Sequence, residues 1–188
     1  MTNGLQYRTA RDLFLGCPAI TKDMTAPPTD QSPVEYCRAL LAGRVPEEAI
    51  TFCAYLLPER AAIWWAHECL SHLAELLSDS DRALLADVER WVGEPGNPDH
   101  GATLSHAADL PPTTPAGWVA LAAGWRGNGH TPDTTSPGFP AAHAVSAGVL
   151  SGLARVSVAD RFAVLSAFAE MGIQMAEIET QRLSSVSY

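Results

Sequence analysis

Apolar side chains recur every three or four residues in one short stretch after another, and each stretch opens on a residue suited to a helix start. Val34, Cys37, Leu40 and Leu41 follow Ser32-Pro33, and Ile50, Cys53, Ala54 and Leu57 follow Val45-Pro46-Glu47-Glu48. Ala62, Trp65, Cys69, Leu73 and Leu76 follow Leu57-Pro58-Glu59. A stripe of that period is one face of an α-helix, whereas a strand alternates with a period of two. Proline at the first helical position loses no hydrogen bond, and its fixed φ suits the first turn. The glutamates beside it complement the positive end of the helix dipole. No period-two, β-branched run persists anywhere along the chain, so the expected fold class is all-α.

Later signals extend the pattern. Ser80-Asp81, then Leu84, Leu85, Val88, Trp91 and Val92, mark an amphipathic helix stopped by Gly93 and Pro95. Pro98 to Leu110 fits a less apolar helix, and Thr114-Pro115 opens one carrying Trp118, Leu121, Ala122 and Trp125. Ala141 to Val156 is apolar almost all round, as a central buried helix would be, with Gly148 and Gly152 allowing close neighbours. Ser157 caps the last helix with Asp160 three residues on, and Phe162, Leu165, Phe168 and Ala169 form its core face. Gly172 is expected to kink or end it. Arg8 to Leu15 fits a short first helix.

Two Pro/Gly-rich connections interrupt the helices, Gly16–Ser32 and Arg126–Pro140. The first is long for a structureless loop, so it either drapes over the surface or is disordered. With 188 residues the chain is long enough for one core without disulfide or metal staples. The expectation is a single compact bundle of about seven to nine helices: an N-terminal segment 1–32, a helical domain 33–183 and a tail 184–188. Cys37-x-x-Leu40-Leu41 is echoed sixteen residues on by Cys53-x-x-Leu56-Leu57, but two copies of a generic stripe do not make a solenoid.

Charge narrows the partners. The net charge of −9, from 12 Lys+Arg against 21 Asp+Glu with no basic cluster, disfavours nucleic acid and anionic membrane surfaces. It suits a basic protein surface. The longest small-apolar run, Ala141 to Val156, is interrupted by His143 and is shorter than the ~20 residues a span requires, so no membrane insertion is expected. No signal-peptide pattern occurs at Met1–Gly16, and the expected location is cytoplasmic. Cys17, Cys37, Cys53 and Cys69 have no CxxC spacing and read as free thiols, mostly buried.

Catalytic signatures fail one by one. His67-Glu68-Cys69-Leu70-Ser71-His72 resembles a zinc-protease helix, but that motif needs its second histidine at position 71. Five residues apart, His67 and His72 diverge by roughly 140° around the helix. Glu68 and His72, four apart, are expected to share a surface hydrogen bond or ion pair. A cysteine nucleophile would need a partly exposed thiol in an electropositive setting, and Cys69 lies on the Trp65–Leu73 core stripe. Neither GxSxG, GxxxxGK[ST] nor GxGxxG occurs. No catalytic residue, metal or cofactor is implied.

Trp64 is the exception to the bland reading. At 100° per residue it falls within the face of Arg60, Glu68, Ser71, His72 and Glu75, whereas Trp65 belongs to the core face. Either another helix or a loop roofs it, or it is an exposed aromatic anchor, which makes Trp64, Arg60, Glu68 and His72 the candidate protein-binding residues.

Several landmarks occur in order between about residues 33 and 178: Pro58-Glu59-Arg60-Ala61-Ala62-Ile63-Trp64-Trp65-Ala66, Val88-Glu89-Arg90-Trp91-Val92, Thr114-Pro115-Ala116-Gly117-Trp118 and Ala141-Ala142-His143-Ala144-Val145. In these the chain resembles an uncharacterised bacterial helical family associated with type VI secretion gene neighbourhoods. The resemblance implies a setting and supplies no catalytic residues. The expected function is a non-enzymatic accessory protein, an adaptor or chaperone-like binder of a secretion component or effector. A toxin-neutralising immunity or regulatory protein, an enzyme or metal binder using the His67–His72 region, and a homo-oligomer associating through the Trp64 face are the rival expectations.

Overall fold

The computed structural model describes residues 7–94, 104, 113–127 and 140–186, with side chains described for all but 125–127 and 183–186. Among these the fold is all-α, with eight α-helices and no strand. They are α1 (Ala10–Gly16), α2 (Pro33–Leu41), α3 (Glu47–Leu56), α4 (Glu59–Ser71), α5 (Asp79–Gly93), α6 (Pro115–Gly127), α7 (Ala141–Leu153) and α8 (Val158–Val186). Leu104 is helical and fully buried. The rest of the helix expected over Pro98–Leu110 lies outside the described residues. So does most of the Arg126–Pro140 connection, into which α6 runs by two residues.

Local chemistry sets the helix starts. Ser32 and Glu35 close a reciprocal box at α2: the Ser32 hydroxyl accepts from the Glu35 amide at 3.3 Å, and the Glu35 carboxylate accepts from the Ser32 amide at 3.1 Å. Pro33 and Pro115 are first helical residues, as expected, whereas Pro46 and Pro58 stand one position earlier, as the caps of α3 and α4. At α5 the cap is Ser78 rather than Ser80. The Ser78 hydroxyl accepts from the Asp81 amide at 3.1 Å and donates to the Asp81 carboxylate at 2.8 Å, a closure that Ser80, inside the first turn, cannot make.

At the centre lies α3, buried at every residue from Glu48 to Leu56 and packed on α2, α4, α7 and α8. Helix α4 touches α3, α5, α6, α7 and α8. Glycines let α7 in close: a Cβ on Gly148 would meet Val119 Cγ2 at 2.8 Å, and one on Gly152 would meet Leu70 Cδ2 at 2.5 Å. The close-packing reading of this glycine pair therefore holds, with one glycine facing α6 and the other α4.

Helix α8 corrects two expectations. It runs through Gly172 without ending, because that glycine is there for packing: its Cβ would stand 2.9 Å from Cys53 Sγ and 3.2 Å from Trp65 Cε2. Phe162 is 56% exposed and Val158, one turn earlier, 82%, so the buried stripe begins only at Leu165. Leu76, placed on the α4 stripe, instead follows the helix end in a short 3-10 turn and is half exposed.

The connection after α1 drapes over the core, tied down by side chains. It contains a 3-10 turn (Pro18–Lys22) and buries Ile20 and Met24. Glu48 accepts from the Thr25 amide at 2.6 Å, the Thr25 hydroxyl at 2.7 Å and the Ala26 amide at 3.1 Å. Tyr36 donates its hydroxyl to the carbonyls of Ala26 and Pro27. That hydroxyl is pushed up to about 12 by burial and by the Glu48 charge, so it stays a donor.

Candidate functional site: the aromatic face of α4

Two adjacent tryptophans on α4 take opposite roles. Trp65 is fully buried, and its indole N–H donates to the Phe168 carbonyl of α8 at 3.0 Å, satisfying the one polar atom of a large apolar side chain. Trp64, rotated by about 100°, is only partly buried and stacks flat on the His67 imidazole, with ring centroids 4.8 Å apart and planes 12° from parallel.

Arg60 lies one turn before Trp64 and reaches α5. Its guanidinium carbon stands 5.8 Å from the centroid of the Trp91 ring, and Nη2 donates to the Val92 carbonyl. A cation at that distance from an aromatic face is attracted by the ring quadrupole. Arg60 and Trp64, one turn apart on α4, and the Trp91 and Val92 that Arg60 reaches thus make up a patch of exposed and partly buried residues where α4 meets the end of α5, with the buried His67 stacked on Trp64. Trp64 itself is neither fully exposed nor fully buried.

The polar side of the cluster differs from expectation. Glu68 pairs with the neighbouring His67, whose Nδ1 lies 3.1 Å from Oε1, rather than with His72. The stack on Trp64 fixes the imidazole within reach of that carboxylate. His72, the C-terminal cap of α4, is exposed, with its ring 6.5 Å from that of Phe168. His67, read from the sequence as part of a polar cluster, is 6% exposed. The structure therefore brings Trp64 and Glu68 to His67, turns Arg60 toward Trp91 and Val92 of α5, and leaves His72 at the helix end.

Among the described residues no group of three or more His, Cys, Asp or Glu could hold a metal ion. All four cysteines are free, with Cys37, Cys53 and Cys69 buried and Cys17 partly exposed. Burial pushes the Cys69 thiol well up, opposing the thiolate that a nucleophile needs. No described helix is long and apolar enough to cross a membrane. A half-open cleft of about 440 Å3 between α1 and the segment after it, lined by Phe14, Leu15, Met24 and Pro27 among others, contains none of the α4 residues.

Three polar clusters escaped sequence reasoning. Asp23 accepts from the Tyr55 hydroxyl at 2.6 Å, and its other oxygen lies 2.8 Å from His143 Nδ1. Thr51 and Ser146 share a buried hydroxyl pair at 2.9 Å between α3 and α7. Asp81, fully buried, joins three elements: it accepts from the Ala116 amide at the start of α6 at 3.2 Å, from Ser78, and lies 3.5 Å from Arg155 Nη1. Burial alone would raise its carboxyl; hydrogen bonds from Thr114, Ser78 and Ala116 and the Arg155 charge outweigh burial and hold it below 3.8. Only the Ser78-x-x-Asp81 spacing gave a local hint, and Ser80 masked it.

Residues 36–176 match a family of unknown function, DUF6931. No curated protein and no solved structure matches the chain.

Proposed function

The chain belongs to the DUF6931 family of unknown function; we propose that it is a non-enzymatic helical accessory protein of a bacterial type VI secretion system. It acts as an adaptor or chaperone-like binder that holds a secretion component or effector. The observation that carries the reading is the α4 patch, in which Trp64 stacks on His67 beside Arg60 and Trp91 on a partly exposed surface. Tryptophan and arginine are the side chains most enriched where binding energy concentrates. A tryptophan held flat by a neighbouring ring loses little conformational freedom on binding.

The secretion setting rests on the resemblance in the Pro58–Ala66, Val88–Val92 and Ala141–Val145 landmarks. The acidity supports a partner with a basic rim, since opposite charge speeds encounter and selects among surfaces. The pairing of Glu68 with His67, leaving His72 apart, favours this reading over metal chemistry in the same region.

Capture from the native host with the intact chain as bait tests it. The expected result is recovery of a type VI secretion component or effector, together with impaired secretion in a deletion strain. Unimpaired secretion in that strain, with no such component recovered, contradicts the proposal.

A further inference from the structure

We propose that Cys37 and Cys53 form a latent disulfide, which a two-electron oxidant closes to lock α2 onto α3. The sixteen-residue echo that places a cysteine at the same point of each helical stripe brings the two sulfurs together: Sγ to Sγ is 3.4 Å. Nothing else bonds between them. The remaining thiol contacts are long ones to backbone, Cys37 to the Ala49 carbonyl and Cys53 to the Ala169 carbonyl, each at 3.7 Å. From 3.4 Å the sulfurs need to approach by about 1.4 Å to reach a bond of about 2.0 Å.

Hydrogen peroxide is the oxidant class considered. One sulfur attacks the peroxide O–O bond, becoming a sulfenic acid as water departs. The second sulfur then displaces the hydroxyl as another water, and the S–S bond forms. The two electrons come from the sulfurs, both thiol protons end in water, and one peroxide is consumed.

Both thiols are fully buried, so the reaction waits on local opening. Helix α2 is suited to this. It has nine residues, packs on α1, α3 and α8, exposes Glu35, Arg38 and Ala39, and meets α8 through the solvent-exposed Arg38–Glu170 pair. Peripheral elements of this kind open at less than the global unfolding free energy. The hydrogen bond with Cys37, together with burial, pushes the Cys53 thiol well up, which makes closure slow rather than immediate. The cross-link closes a sixteen-residue loop, long enough to constrain the unfolded chain appreciably.

The test uses full-length folded protein carrying Cys17→Ser, which removes the partly exposed thiol. It is treated overnight with millimolar hydrogen peroxide, then alkylated and mapped by mass spectrometry. The expected result is a Cys37–Cys53 cross-linked peptide lighter by two hydrogens, retained in a Cys69→Ala background and absent from Cys37→Ala and Cys53→Ala. The oxidised protein should melt about 6 to 12 °C higher than the reduced form. Full alkylation of Cys37 and Cys53 after treatment, or a cross-link that forms only in urea-unfolded chain, overturns the proposal.

Discussion

Asp81 shows how one side chain can serve several elements at once. Its carboxylate is fully buried yet bonded to Ser78, to the first turn of α6 and to Arg155. Asp81→Ala strands these donors, and the expected loss is about 3 kcal/mol in urea unfolding. The folded carboxyl is held below its ordinary value, so it contributes stability that is present above pH 3.8 and lost as pH falls through the lower folded value. Wild type should therefore lose more stability than Asp81→Asn on going from neutral pH to below 3.8; parallel acid profiles would show that Asp81 is not the linked group. Beyond the Ser78 contact three residues away, none of this is legible locally, since Ala116 is thirty-five positions away and Arg155 seventy-four.

Gly172 tests a different kind of residue argument. Replacing a mid-helix glycine with alanine gains about 1 kcal/mol of helix propensity. Here the new Cβ would meet Cys53 Sγ at 2.9 Å, Cys53 Cβ at 3.0 Å and Trp65 Cε2 at 3.2 Å, both residues being fully buried. Overpacking of that sort costs about 1 to 3 kcal/mol, so Gly172→Ala is expected to lower the melting temperature by a few degrees. In a Cys53→Ala background the closest sulfur is gone and the penalty should shrink or reverse, a coupling that a double-mutant cycle reads directly.

Whole helices were the most legible feature of the sequence, and their surroundings the least. Apolar period and capping chemistry located α2, α3, α4, α5, α6 and α8, because both signals are confined to a few neighbouring residues. Period alone could not tell that α3 is enclosed on all sides, or that Phe162 lies on an uncovered stretch of α8, since those facts depend on what packs against the helix. The connection after α1 is the clearest case. Its Pro-rich composition signals only irregular backbone, while Glu48, on α3, supplies the acceptor that orders it. Glu48→Ala should reduce hydrogen-exchange protection across residues 18–30, with α4 and α7 unchanged; undiminished protection there would mean that the buried Ile20 and Met24 hold the segment unaided.

At the scale of the molecule, the Trp64 site was half legible. The helical wheel separated Trp64 from Trp65 and grouped it with Arg60 and Glu68. It gave no sign that His67 turns inward to carry the stack, or that Trp91 and Val92 of α5 complete the patch. The net charge of −9 adds a long-range field, so association with a basic-rimmed partner should slow as salt rises. Dissociation, governed by the aromatic contacts, should change far less.

The most direct test of this account compares wild type with Trp64→Ala in binding to the secretion component or effector recovered by capture, with melting temperature measured on the same samples. A binding role predicts affinity weakened by at least tenfold, equivalent to about 1.4 kcal/mol, with the melting temperature within a few degrees of wild type. Unchanged affinity, or a fall in melting temperature large enough for several kcal/mol of lost stability, would contradict it and assign Trp64 to the core.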